Sequence, residues 1–345
     1  MTASPAPINE PAAAPAAVSL RTWLVIGACG VVLGLVAAAR LYVGSSALGF
    51  PAGELEQIWH ARLWRLGLGA VAGASLALAG VALQSLLRNP LAEPFILGLS
   101  TGAAAGMIGQ SLLLSWLGWA VAGHHLGAVA GAAVSMGIVF AIGRRRGVID
   151  PLGLLLVGVV VSTINGALIM LANYLVGPGA IRDELMRWMM GYLNEAASGA
   201  SVLVVMMLLA AGWTLLQRAA GAMDVATLSD AEAASLGVSL ARLRTGLFVT
   251  ASVLAAGAVV LAGPVAFVGL ICPHVARLML GPGHGPLLVA SALLGAALVV
   301  AADVASAAIH LTWGVGLVPI GVFTALVGGP AFLAMLRPRL GRGGG

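Results

Sequence analysis

Asp303 is the residue that most demands an explanation. It interrupts two uncharged stretches, 278–302 and 304–336. A carboxylate in apolar surroundings is costly and points to a function or to a buried partner. Gln84, Asn165 and Asn173 are further polar residues in apolar runs, and His310 lies near the end of one. They suit interhelical hydrogen bonds, or the lining and gating of a polar path. Pro273, His274 and Arg277 share one helical turn. A metal site needs more ligands at suitable spacing, so these three read as a structural hinge. His124 and His125 are adjacent, point to different faces of any helix and have no third ligand nearby. No clustered metal or nucleophile constellation appears, so no catalytic residue, no bound metal and no cofactor of the chain's own are expected.

Two polar segments carry local signals. In RNPLAEPFILGLSTG (88–102), Arg88, Asn89, Pro90, Glu93 and Pro94 form a charged turn that runs into an apolar helix. Each proline fixes φ and lacks a donor, so the pair stops one helix and starts another. Asn89 can cap the next turn, while Arg88 and Glu93 are expected to stay at the membrane interface. In MDVATLSDAEAASLGVSLARLR (223–244), Ser229 and Glu232 have the spacing of a capping box. Asp230 and Glu232 suit the positive end of a helix. Gly237 is a natural stop, and Ser239 is placed to cap the next span. A short helix of about two turns, within 223–238, is expected to lie across one membrane face as a docking element for a partner.

The elements that position these residues follow from composition. The chain has 345 residues, of which 60% are hydrophobic and 8% charged. Its mean hydropathy is +1.05. This is an all-α polytopic membrane protein. A span needs roughly 20 apolar residues, and the uncharged runs divide at glycine and proline clusters. Ten spans are predicted, near 22–42, 62–87, 95–113, 125–143, 152–176, 199–218, 241–262, 265–280, 286–308 and 317–336. Arginine placement sets the orientation. With the N-terminus inside, Arg21, Arg88, Arg144–Arg146, Arg218, Arg242, Arg244, Arg277, Arg337, Arg339 and Arg342 are cytoplasmic; Arg40, Arg62, Arg65, Arg182 and Arg187 are not. Both termini then lie in the cytoplasm. Gly69, Gly73 and Gly80 give the second span a face on which another helix can approach closely. Residues 1–20, rich in Pro and Ala, read as a disordered cytoplasmic tail, and 21–345 as one membrane domain. RDELMRW (182–188) reads as an outer amphipathic loop.

The same composition excludes several classes. All 17 basic residues are arginine. A phosphate-binding P-loop needs its lysine, so the chain is no nucleotide hydrolase of that type. The isoelectric point near 10.2 does not imply nucleic acid, because the arginines are scattered between apolar spans rather than gathered with aromatics. Cys29 and Cys272 both sit in apolar runs and suggest no disulfide framework.

The stretch 62–106 resembles the FecCD-type permeases of ABC importers, which take up cobalamin, haem and iron–siderophore complexes. Its carriers are Arg62 to Arg65, Ala77 to Gln84, Asn89 to Pro94 and Leu97 to Gly102. GPVAFVGLICPHVARLMLGPGH (263–284), the Ala302–Asp303 pair and VPIGVFTALVGGPAFLAML (318–336) are similar to further family motifs. The chain departs from the pattern at Trp64, where the family has proline, at Ala307, and at Leu317–Pro319.

The resemblance implies a type II importer permease fold, with a second permease copy forming a homodimer around the path. It implies two cytoplasmic ATPase subunits, which hold the ATP and magnesium, and an extracytoplasmic binding protein. Arg62 and Arg65 match the positions that meet acidic residues of the binding protein. Leu228, Ser229, Asp230, Glu232, Leu236 and Gly237 fall in the element that couples to the ATPases. The cargo expected on this basis is an iron–siderophore complex, then haem, then cobalamin, carried across the inner membrane. An ion-coupled secondary transporter without an ATPase is the alternative. It would require paired ionisable residues at mid-membrane.

Overall fold

The computed structural model describes residues 19–44, 49, 56–118, 125–145, 148–176 and 188–340. The expected tail lies almost wholly outside these described residues, as do His124 and 182–187 of the outer loop. The helices run in the order α1 (Leu20–Tyr42), α2 (Glu56–Leu87), α3 (Leu99–Trp116), α4 (His125–Ile142), α5 (Pro151–Val176), α6 (Gly199–Val225), α7 (Asp230–Ser235), α8 (Leu240–Ala262), α9 (Val268–Leu280), α10 (His284–Trp313) and α11 (Ile320–Leu340). A 3-10 turn, Pro94–Leu97, precedes α3. Two short antiparallel strands, β1 (Arg144–Arg145) and β2 (Val148–Ile149), pair Arg144 with Ile149.

Each of the ten predicted spans corresponds to a helix, and α7 is the predicted polar one. Among the described residues, α1, α2, α5, α6, α8 and α10 are long and apolar enough to cross a membrane. α6 continues to Val225, past the predicted end at 218. α9 has only 13 residues, about 20 Å at ~1.5 Å per residue. Its first residues stand well inside the bundle: the Phe267 ring lies against Gly328, more than two turns into α11.

Glycine determines how the bundle closes. A Cβ on Gly73 would run into the Gly295 carbonyl of α10, and one on Gly80 into the Gly269 carbonyl of α9. The small-residue face read from the sequence is therefore a packing face that lets α2 touch two helices backbone to backbone. α2 is the central helix; its span is 72% buried, against 28% for α5 and 22% for α6. The outer helices turn Leu24, Leu35, Leu156, Tyr174 and Met207 outward, as lipid contact requires.

The bundle has two polar ends. Arg21, Arg88, Arg144, Asp230 and Arg244 lie on the face where the chain enters α1, here the entry face. Arg40, Arg65, Glu195 and Asp303 meet on the opposite face.

Candidate functional site

The opposite face is organised around Asp303. Arg40, at the end of α1, donates through Nε to Asp303 Oδ2. Arg65 of α2 donates through Nη2 to Oδ1 and through Nε to Oδ2, the latter at 3.3 Å. Arg65 Nη1 pairs with Glu195, just before α6. Arg40 also donates to the Val43 carbonyl at 2.6 Å. Asp303 is buried, so its two arginines are what make a charge there tolerable. It is a helix-tying ion network rather than a free pathway carboxylate.

Arg62 donates to the Leu41 carbonyl and, at 2.7 Å, to that of Gly49. Arg62 and Arg65, the positions expected to meet the binding protein, are each only 4% exposed. The side chain exposed at this site is Glu195, at 56%. Trp64, the departure from the family pattern, stacks on His60 with ring centroids 6.1 Å apart.

The polar residues of the spans are mostly consumed by packing. Pro273 sits inside α9. Proline has no N–H to offer the carbonyl four residues back, which here is Gly269. Gln84 Nε2 donates to that carbonyl at 3.1 Å and to Leu270 O at 3.4 Å. Gln84 Oε1 in turn accepts from Arg277 at 3.1 Å. Gln84 thus ties α2 to the proline break of α9, where His274 stands half-buried. Asn165 joins α5 to α4 through Ser135 (2.9 Å) and reaches Thr101 of α3 (3.4 Å). Asn173 lies half-buried further along α5. His310 Nδ1 meets the Val315 carbonyl around the end of α10.

Glu93 does not stay at the interface as expected. Its carboxylate turns inward and accepts the backbone N–H of Phe267, which precedes α9. Phe267 has φ 69°, a left-handed conformation rare for a bulky residue. The α2–α3 turn and the start of α9 are thus joined by one hydrogen bond, a helix N-terminus facing a carboxylate.

The entry face carries the third group, around α7. Ser229 Oγ accepts the Glu232 N–H at 3.3 Å, and Glu232 Oε2 accepts the Ser229 N–H at 2.9 Å, completing the predicted capping box. Val238 and Gly237 donate back to the carbonyls of Ala233 and Ala234, both at 3.0 Å, with Gly237 at φ 82°. That is a Schellman stop. Ser239 occupies the cap position of α8 but makes no side-chain cap bond.

Asp230 binds Arg88 Nη2 at 2.6 Å and Arg244 Nη2 at 2.9 and 3.0 Å. Arg88 Nε also donates to the Ala226 carbonyl at 2.9 Å. Asn89 Oδ1 accepts the Leu91 N–H at 3.0 Å and shapes the turn as predicted. Burial alone would raise the Asp230 pKa, but Arg244 and Arg88 outweigh it and hold the carboxyl below its ordinary value. Bonds from the Ser229 hydroxyl and N–H lower that of Glu232. Leu228 and Leu236 flank this short helix with exposed side chains.

Sequence reasoning did not find Arg40, Glu195 or Arg244 as partners in these clusters. It also missed Asp224, which accepts the His284 N–H at 2.9 Å and its Nδ1 contact at 2.6 Å at the start of α10. Among the described residues no three His, Cys, Asp or Glu side chains gather as a metal site, and Cys29 and Cys272 are free and buried.

The profile of the FecCD transport family matches residues 22–338. The cobalamin import permease BtuC of Halobacterium salinarum is 38% identical over 303 residues, 86% of this chain and 78% of that protein. The vitamin B12 import permease BtuC of Vibrio cholerae is 36% identical, over 82% of this chain and 83% of its own. The hemin permease HmuU of Yersinia pestis is 31% identical, over 93% and 98%. A solved inward-facing ABC transporter of the metal-chelate type superposes with a TM-score of 0.77 at 27% identity, covering 92% of this chain and 99% of the other.

Proposed function

Because the chain belongs to the FecCD transport family and is a membrane-spanning permease subunit of an ABC importer, we propose that its cargo is cobalamin or a related corrinoid. Two of the relatives most similar to it carry that cargo by name; the siderophore expected first has no such support here. The family implies ATPase and substrate-binding partners, and hydrolysis belongs to the separate subunits. An ATPase-independent, ion-coupled transporter is set aside. Asp303 is bound by two arginines rather than poised as a relay, and the relatives are ATP-driven importers.

On this proposal the entry face is cytoplasmic, and two copies of the chain enclose the path. The observation that carries the mechanism is the Asp230 clamp. ATPase subunits dock on α7 through Leu228 and Leu236. Movement of α7 pulls Arg88 through Asp230. Arg88 begins the turn that ends at Glu93, and Glu93 holds the N-terminus of α9. The motion thereby reaches a helix that starts inside the membrane. On the opposite face, acidic groups of the binding protein compete with Glu195 for Arg65.

The test is purification of the tagged chain with its ATPase, followed by hydrolysis assays in proteoliposomes. ATPase subunits should copurify, and a cobalamin-loaded binding protein should stimulate hydrolysis more than one offered haem or a ferric siderophore. Absence of any ATPase partner would reject the mechanism. Stimulation by haem alone would reject the cargo.

A further inference from the structure

α4 and α6 both pack on α8 but leave a groove between them. It encloses about 800 Å³, a volume that falls among small-molecule sites, roughly 300–1,000 Å³. α4 lines it from Leu126 to Phe140, a rise of about 21 Å at ~1.5 Å per residue. That exceeds half of a hydrocarbon core roughly 30 Å thick. Val129 and Met136 of α4, Val204 and Leu208 of α6, and Val253 of α8 form its walls. Of its two serines, Ser252 already donates to the Phe248 carbonyl at 2.7 Å. Apart from the Ser201 hydroxyl, the walls offer a polar ligand nothing.

Among the described residues, charge meets the groove at one end. Phe140 and Phe248 stack 5.3 Å apart toward the entry face. The Arg144 guanidinium lies 4.3 Å over the Phe140 ring. Arg144 is exposed and, among the described residues, pairs with no carboxylate. A long apolar slot ending at an unneutralised cation matches an amphiphile with an anionic head. We propose that this groove seats an acyl chain of an anionic phospholipid, with its phosphate on Arg144. Basic pockets between spans at a membrane face recognise such headgroups. A second copy of the chain is the poorer occupant. A two-fold pairing through this groove brings like surfaces together, and so sets the Arg144 cations of both copies against each other.

The inference goes beyond the transport reading and does not depend on the cargo. Gly137 makes it testable without disturbing the fold. It lines the groove, and a Cβ there would meet no heavy atom within 4 Å. The intact importer, purified in detergent, is equilibrated with equal amounts of phosphatidylglycerol and phosphatidylcholine of matched chains, and retained lipid is read by native mass spectrometry. Wild type should retain phosphatidylglycerol preferentially. Arg144→Gln should cut that preference about five-fold, and Gly137→Leu should reduce retention of both lipids. Equal retention of the two lipids by wild type overturns the proposal. So does a headgroup preference that survives Gly137→Leu, which would place the lipid outside the groove. A disulfide forming between two copies of a Gly137→Cys variant would assign the groove to a dimer instead.

Discussion

Replacing Asp230 with Asn should separate ATP hydrolysis from transport. Asp230 is held by one contact from Arg88 and two from Arg244. Its side chain is 53% exposed, that of Arg88 34% and that of Arg244 10%, so solvent screens the Arg88 pair and reaches the Arg244 pair from the Asp230 side. Exposed pairs contribute about 0.2–1 kcal/mol each, rather more in a network. Two arms then give about 1–2 kcal/mol, enough to change the docked population of α7 some 5–30-fold. That is small beside the stability of a bundle this size, so Asp230→Asn should fold and still copurify the ATPase. The capping box keeps α7 itself helical, because Ser229 and Glu232 are untouched. In proteoliposomes, hydrolysis should persist near wild-type rate while cargo moved per ATP falls several-fold. Arg88→Gln should do the same, and the double variant should be no worse than either single, since both remove one link. Wild-type transport per ATP in Asp230→Asn would refute the clamp. So would full additivity with Arg88→Gln.

Asp303→Asn should be more damaging to the fold, because it leaves Arg40 and Arg65 buried without their shared anion, a loss of about 3–5 kcal/mol; lower yield and a reduced melting temperature in detergent would register it. Glu195→Gln should tighten binding-protein association by removing the anion that occupies Arg65 Nη1, measured as a lower Kd at low salt, whereas weaker association would mean that Glu195 itself is the docking group. Gly80→Val should prevent assembly by forcing α2 from the Gly269 backbone, seen as loss of folded protein. Acid should loosen α7. Asp230 and Glu232 both titrate below their ordinary values, so the stability they add is present at neutral pH and is lost as pH falls below about 4. Hydrogen exchange over 229–238 should rise there, and little between pH 6 and 8.

What could be read from the sequence was what neighbouring residues decide. Span positions follow from hydropathy over one helix length. The Ser229–Glu232 box and the Gly237 stop are signals three to five residues long, and both formed as written. Gly73 and Gly80 were legible as a close-packing face, although their partners Gly295 and Gly269 were not. The ion network was illegible for the same reason: Arg40 and Asp303 are 263 residues apart, and no local pattern pairs them. Glu93 shows the limit from the other side. Its placement in a turn was correct, but a turn that folds back into the bundle carries its carboxylate inward to α9. The docking role of Arg62 and Arg65 came from the motif alone, which does not show the carbonyls and carboxylates that packing brings to them.

The most direct test of the whole account is ATP-dependent uptake of radiolabelled cobalamin into proteoliposomes holding this chain, its ATPase and its binding protein. The account predicts accumulation that requires ATP and that excess unlabelled cobalamin, but not haem or a ferric siderophore, competes away. Accumulation that proceeds without ATP, driven by an ion gradient alone, would contradict it.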